Sequence, residues 1–240
     1  MNAVGILFFV GVDMFNFFRK EPPERIYKLS EIKSENKSPQ IMRRTHDMVV
    51  IDDDPFIQAQ QLRNSGFSII EVGDINNLKI IESYPIIICD IQGVGKAFGS
   101  TVEGAYVISE IRKQYPDKYI IAYSTNSFNM SYQSYINKAD LSLSKANTIQ
   151  EWTEILDKAV DIISDPKRRW IRMRGELLSS GMELYDIFKL EQSYIKSVLE
   201  KSEEPLSEKC KSLELDPRVK DLMSTFITTA LSTIIKKTLE

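Results

Sequence analysis

The chain has 240 residues, of which 42% are hydrophobic and 27% charged, a composition that is typical of folded proteins and excludes a disordered chain. Two cysteines and one histidine exclude a disulfide framework and the zinc sites that need several such residues. The net charge of −3 is uneven: residues 47–163 carry 9 Lys/Arg against 16 Asp/Glu between weakly basic ends, which argues against nucleic acid as a partner.

Residues 1–18 form a hydrophobic N-terminal segment, since 12 of the 16 residues from 3 to 18 are apolar. The run is shorter than the roughly 20 apolar residues that a membrane-spanning helix needs. It lacks the basic start and the small-residue cleavage site of a secretory signal. Three interpretations stay open: a membrane tether with Arg19 and Lys20 on the cytoplasmic side, a segment docked on a hydrophobic surface, or a non-native start with translation beginning at Met14. We expect a cytoplasmic protein, with tethering through residues 3–18 as one alternative.

Residues 19–46 are polar and contain Pro22-Pro23, which predicts a linker with an inert His46 at its end. From residue 47 to 163, short apolar runs alternate with helical patterns. The predicted strands are Met48–Ile51, Ser68–Val72, Ile86–Cys89, Tyr119–Tyr123 and Leu141–Ser144.

Helices are predicted between and after these strands. Asp54 followed by Pro55 is typical of a helix start, and that helix should end near Gly66. Thr148 and Glu151 match a capping box. The remaining predicted helices are 77–82, about 101–115 after a glycine-containing loop, 128–138 and, from the capping box, 148–163. Five strand–helix units predict an α/β fold, a doubly wound parallel sheet of five strands with helices on both faces.

Four of the predicted strands end at a residue that can carry chemistry. They end at Asp52/Asp53, Asp90, Ser124 and Lys145. Because parallel strands share one carboxyl edge, these side chains should converge there, where doubly wound sheets bind ligands. Clustered carboxylates repel one another, and a divalent cation relieves the repulsion; oxygen ligands alone suit Mg²⁺. Helix capping alone would need one acid at residues 52–54 and not three.

Residues from about 48 to 163 resemble the receiver domain of the two-component response regulators. The segments that carry the resemblance are VVIDDDP, IIICD, IIAYS and ADLSLSK, in that order and each at a strand end. The resemblance implies a flavodoxin-like sheet and Mg²⁺ held by Asp52, Asp53, Asp90 and the backbone carbonyl of Gln92, with Asp53 as a direct ligand. It also implies that Asp90 accepts a phosphoryl group, that Ser124 moves to bind that group, and that Lys145 pairs with it.

The sequence departs from the family pattern in several places. Met-Pro does not follow Asp90, and the loop to Gly104 is several residues longer than usual. Ser142 stands where the family has its aromatic switch residue, and Ala146 replaces the proline after the lysine. These departures leave the phosphorylation chemistry in place and bear on how the switch is relayed.

Residues 164–240 predict a helical output or interaction region without a second catalytic pattern. We predict one or two helices over 166–200 with a break near Gly181, a weak helix over 205–215, and a strong helix from Pro217 to Leu239. The last helix has a wide apolar face, and we expect a second copy or another protein to cover part of it. The basic cluster around Trp170, Lys167 to Arg174, matches a solvated helix face or an anionic surface contact.

Two functions therefore stay open for this chain. The first is a phosphoacceptor switch that receives phosphate from a sensor histidine kinase or a phosphotransfer protein and signals through the helical region by protein–protein contact, with a homodimer as one form of that contact. As an enzyme it would do no more than phosphorylate and dephosphorylate itself. The alternative is a scaffold that uses the receiver fold without phosphorylation.

Overall fold

A computed structural model describes residues 25–34, 38–125 and 132–239. The hydrophobic segment at 3–18 lies outside these ranges, so its membrane interpretation stays a prediction. Among the helices in the described ranges, none is both long and apolar enough to cross a bilayer.

The described residues contain a parallel sheet of five strands. The strands are β1 (Met48–Ile51), β2 (Ile69–Glu71), β3 (Ile86–Asp90), β4 (Tyr119–Ser124) and β5 (Leu141–Ser144). Their order in the sheet is β2-β1-β3-β4-β5, and every neighbouring pair is parallel. This order is the flavodoxin-like doubly wound arrangement, which confirms the predicted fold class. The central strands are buried throughout because helices cover both faces of the sheet.

Ten α-helices are found in the described ranges. They are α1 (Pro39–Thr45), α2 (Ala59–Asn64), α3 (Glu103–Gln114), α4 (Gln133–Ile136), α5 (Ile149–Ser164), α6 (Pro166–Ser179), α7 (Leu184–Glu200), α8 (Glu204–Ser212), α9 (Pro217–Phe226) and α10 (Ser232–Leu239). Single 3₁₀ turns lie at Leu29–Glu31, Leu78–Ile81 and Lys96–Phe98, and a π-helical turn, Ile227–Leu231, joins α9 to α10.

Each face of the sheet has its own apolar core. One core packs β1, β3 and β4 against α2 and α5 around Phe56, Tyr123 and Trp152. The other packs the opposite face against α3 and α4 around Ile108 and Ile111. Thr148 and Glu151 form the predicted capping box at the start of α5. The two layers leave the carboxyl ends of the strands on one common edge.

Two predicted helices differ from the structure. The helix after β1 begins at Ala59 and not after Asp54, because the Asp54 amide is used by Asp52 Oδ1 and the Phe56 amide by the carboxylate of Glu71. The described part of the predicted helix 128–138 is only the short helix α4, and residues 126–131 lie outside the described ranges.

The predicted linker 19–46 contains structure. Arg43 in α1 donates to both carboxylate oxygens of Asp157 in α5, at 2.7 and 2.6 Å, and its guanidinium lies over the Phe67 ring. The backbone of Tyr27 exchanges two hydrogen bonds with the side-chain amide of Gln192 in α7. These contacts fix part of the segment on the surface of the folded chain. His46 ends α1 and is buried, with Nδ1 2.8 Å from the Met42 carbonyl oxygen.

The C-terminal helices α6 to α10 enclose a separate apolar core. Trp170 stacks on Tyr194, with ring centroids 4.7 Å apart, and Phe226 packs against both rings. The apolar face of the last helix, from Val219 to Ile235, is buried against these helices and against Ile32. The expectation that this face needs a partner was therefore wrong, because the chain covers the face itself.

The four arginines of the basic cluster at the start of α6 all form ion pairs with carboxylates. Arg169 and Asp117 form a buried ion pair, and Arg172 donates to both carboxylate oxygens of Asp140, at 2.7 and 2.8 Å. Asp117 precedes β4 and Asp140 precedes β5, so these pairs join the C-terminal helices to the amino-terminal edge of the sheet. Asp161 and Glu191 pair with the two outer arginines of the cluster, Arg168 and Arg174.

Candidate functional site

The carboxyl edge of the sheet brings together the residues predicted from the strand ends. Asp90 ends β3 and Ser124 ends β4, while Asp52 and Lys145 follow β1 and β5 directly. Asp52, Asp90 and Ser124 are buried. The Lys145 backbone amide donates to the Ser124 carbonyl at 2.9 Å, which holds the lysine beside the end of β4.

Lys145 forms the centre of this site. Its Nζ lies 2.6 Å from Asp90 Oδ2 and 2.9 Å from Asp52 Oδ2, so one ammonium group bridges two buried carboxylates. Burial lowers the pKa of Lys145, but the hydrogen bonds to Asp90 and Asp52 outweigh it and raise the pKa above its ordinary value. The lysine is therefore charged at neutral pH and aimed at the carboxylate predicted to react.

The two carboxylates have different environments. Asp52 accepts from Lys145, from the Asp54 amide and from the Tyr123 hydroxyl; burial raises its pKa, and these three donors together hold it below the ordinary value. Asp90 accepts from Lys145 and, at 3.3 Å, from the Gln92 amide. Burial raises the pKa of Asp90, and these bonds do not bring it back to the ordinary value. Asp90 is therefore the carboxylate with less internal stabilisation.

Asp53 lies at the open side of the site. Its side chain is 38% exposed and lies 3.1 Å from Nζ of Lys96, which is itself 61% exposed. Gly93 in the loop after β3 has φ +80°, and a Cβ there would come within 2.2 Å of Asp53 Oδ1. A side chain at residue 93 would therefore clash with this carboxylate, and the glycine allows the two to lie close together.

Among the described residues, the acidic group that could hold a magnesium ion consists of three aspartates after β1, and it differs from the predicted ligand set in containing Asp54 and not Asp90. Ligand oxygens of Asp52, Asp53 and Asp54 lie within 4.8 Å of one another. All of the acidic donors are oxygens, which suits Mg²⁺. Asp52 has three donors already, so Asp53 is the better direct ligand of the pair.

Two residues near the site were not predicted from the sequence. The Tyr123 hydroxyl, on β4, donates to Asp52 across the intervening strand β3. Gly104, in the first turn of α3, lies against the end of β3, where a Cβ would be 1.9 Å from the Asp90 carbonyl oxygen. The sequence offered one signal for Gly104, namely that it is a glycine placed shortly after the predicted loop. Tyr123 gave none, because buried strands commonly contain aromatic residues.

Comparison with known proteins finds similarity only at the level of structure. No family model and no curated protein matches the chain. Many similar solved structures are receiver domains, and they cover about half of this chain.

Three of these structures illustrate the similarity. A response regulator receiver domain protein from Methanospirillum hungatei JF-1 is 16% identical, with 48% of this chain and 94% of that one covered and a TM-score of 0.41. The receiver domain of NtrX from Brucella abortus is 23% identical over 48% and 98% of the two chains, with a TM-score of 0.40. The receiver domain of an HD domain-containing protein from Pseudomonas fluorescens Pf-5 is 19% identical over 54% and 93%, with a TM-score of 0.43. The fold assignment itself rests on the strand order β2-β1-β3-β4-β5.

Proposed function

We propose that this chain is a phosphoacceptor switch of the response-regulator type, with Asp90 as the residue that is phosphorylated. The observation that carries the proposal is the position of Lys145, whose ammonium group bridges buried Asp90 and Asp52 at the carboxyl edge of the sheet. A half-buried lysine that bridges two buried carboxylates carries a desolvation cost, and a structural role alone is served better by apolar residues.

The proposed reaction is transfer of a phosphoryl group to the Asp90 carboxylate. An oxygen of Asp90 forms a bond to phosphorus while the bond from phosphorus to the donor breaks, and the donor leaves with the bonding electrons. Lys145 balances negative charge on the phosphoryl oxygens, and the Ser124 hydroxyl donates to one of them. Mg²⁺, when bound by Asp53, Asp90 and the Gln92 carbonyl with Asp52 beside them, supplies further positive charge to the same oxygens.

The donor would be the phosphohistidine of a sensor kinase or of a phosphotransfer protein, met in the cytoplasm. The buried ion pair of Arg169 and the half-buried ion pair of Arg172 attach the C-terminal helices to the other edge of the sheet. We propose that these helices carry the output as a protein–protein contact, which includes pairing of two copies. The only chemistry proposed for the chain itself is gain and loss of this phosphoryl group.

The test is the intact mass of the chain after incubation with acetyl phosphate and Mg²⁺. Wild type should gain one phosphoryl group, and Asp90→Asn should gain none. Asp161→Asn is the matched control, because its carboxylate is 72% exposed and remote from the site, and it should behave as wild type. Equal modification of Asp90→Asn and wild type would reject Asp90 as the acceptor.

The scaffold alternative predicts a different result in the same assay. Under that alternative, wild type gains no mass from acetyl phosphate or from any phosphorylated kinase, although the fold is intact. Ser142 and Ala146 are the residues that favour it, since they replace the family's aromatic switch and proline.

The metal part of the proposal is tested separately: Asp53→Ala should abolish Mg²⁺ binding in titration calorimetry and leave the circular dichroism spectrum unchanged.

A further inference from the structure

Tyr123 contacts the site from the strand next to Asp90. In the register of the sheet, Tyr123 lies opposite Asp90, and its ring reaches past β3 to Asp52 beyond the end of β1. Its hydroxyl donates to Oδ2 of Asp52, the same oxygen that accepts from Lys145 Nζ. Lys145 Nζ also lies 4.9 Å from the centre of the Tyr123 ring. One tyrosine thus contacts both the ammonium group and the carboxylate that holds it.

We infer that Tyr123 is a positioning residue for phosphoryl transfer: by donating to Asp52, its hydroxyl limits how strongly Asp52 attracts Lys145 and so keeps the ammonium group against Asp90. This inference rests on the proposed function. The hydroxyl and the ammonium group share one oxygen, Oδ2 of Asp52. The hydroxyl therefore supplies part of the stabilisation that the carboxylate would otherwise take from Lys145.

The Tyr123 ring is held rigidly enough for this role. It is 1% exposed and packs edge-on against Phe56, with centroids 5.6 Å apart, and against Trp152, with centroids 6.0 Å apart. Phe56 and Trp152 also contact each other in the same T-shaped geometry. Three aromatic rings that interlock in this way leave the tyrosine few alternative rotamers, so the hydroxyl is aimed at Asp52 before any reaction begins.

The alternative is that Tyr123 only fills the core beneath α5. Both interpretations predict some loss of stability when the hydroxyl is removed, so stability cannot separate them. They differ at Lys145. If the hydroxyl competes with Lys145 for Asp52, its loss must draw the ammonium group toward β1 and away from Asp90, whereas a residue that only packs leaves the lysine in place.

The experiment compares Tyr123→Phe with Tyr119→Phe. Tyr119 is on the same face of the same strand, is buried in the same core and lies at the opposite end from the site, so it is a matched control. Two quantities are measured: the phosphorylation rate at saturating Mg²⁺ and acetyl phosphate, and the ¹³Cε chemical shift of Lys145, assigned by its loss in Lys145→Arg. We expect Tyr123→Phe to slow phosphorylation about tenfold, as for loss of a hydrogen bond to a charged group, and to move the Lys145 signal. Tyr119→Phe should change neither quantity.

A second comparison keeps the inference testable if Tyr123→Phe is poorly stable. In an Asp52→Asn background the competition for Lys145 is already gone, so adding Tyr123→Phe should change neither the rate nor the lysine signal further. An equal additional effect in that background, or a Tyr123→Phe protein identical to wild type in both measurements, would overturn the inference. If wild type gains no phosphoryl group at all, the proposed function fails. In that case the Lys145 signal still tests the contact: a signal that moves in Tyr123→Phe supports the positioning of Lys145 by Tyr123, and a signal that does not move rejects it.

Discussion

The buried ion pair between Arg169 and Asp117 should be the strongest single attachment of the C-terminal helices to the sheet. Nε of Arg169 lies 3.1 Å from Asp117 Oδ2, a second guanidinium nitrogen donates to the same oxygen, and the two side chains are 5% and 2% exposed. Truncation of the arginine leaves a carboxylate in a place that water cannot reach. Removal of one partner from such a pair typically costs about 3–5 kcal/mol of unfolding free energy.

The neighbouring residue provides the matched control. Arg168 pairs with Asp161 at 2.8 Å, but these side chains are 48% and 72% exposed. Exposed pairs of this kind contribute about 0–1 kcal/mol, because water solvates both charges when the pair is broken. The same substitution at adjacent positions of one helix should therefore have very different consequences.

The assay is urea unfolding of Arg169→Ala and Arg168→Ala, followed by circular dichroism and tryptophan fluorescence. We expect Arg169→Ala to lose about 3–5 kcal/mol and Arg168→Ala less than about 1 kcal/mol. If the two variants differ by less than about 0.5 kcal/mol, the range of ordinary surface substitutions, the pair does not attach the helices as the structure implies.

Three further predictions follow from other parts of the chain. Gly104→Ala should lose about 1–3 kcal/mol of unfolding free energy in urea, because its Cβ would lie 1.9 Å from a backbone oxygen. The control Gly175→Ala, whose Cβ would have no atom within 4 Å, should gain about 0.5–1 kcal/mol, and equal effects of the two variants would contradict this. Burial and the charge of Lys237 lower the pKa of His46 from 6.5 to about 4. The folded chain thus keeps His46 neutral while the unfolded chain takes up a proton below about pH 6.5, and stability should fall by about 3 kcal/mol from there to pH 4. This loss should be absent in His46→Gln, and identical pH profiles of the two proteins would refute the assignment. Lys96→Ala should raise Mg²⁺ affinity about two- to fivefold in calorimetry, because an exposed competitor for Asp53 is removed; unchanged or weaker binding would contradict this.

The sheet and the main site residues could be predicted from the sequence because parallel strands share one carboxyl edge. Apolar runs located the five strands, and the residue after each run then had to lie at that edge. This reasoning brought Asp52, Asp90 and Lys145 together although 93 positions separate the first from the last. Chain direction and strand order determine that convergence, and neither needs details of side-chain packing.

The features that were missed depend on contacts between distant residues. Asp54-Pro55 has the pattern of a helix start, but the Phe56 amide donates to the carboxylate of Glu71, 15 positions away, and the helix begins only at Ala59. The basic cluster looked solvent-exposed because its partner Asp117 lies 52 positions away. The last helix looked uncovered because residue 32, in a segment read as a linker, belongs to its core. Local patterns do not contain these pairings.

The most direct test of the account is to locate the phosphoryl group. Borohydride reduces an aspartyl phosphate to homoserine, which is stable to digestion and mass spectrometry. The tryptic peptide 80–96 contains Asp90 as its only aspartate, together with Glu82. After treatment with acetyl phosphate and Mg²⁺ and then borohydride, the account predicts homoserine at residue 90 in this peptide. Homoserine at another aspartate, or an unmodified peptide from protein that has gained the mass of a phosphoryl group, would contradict it.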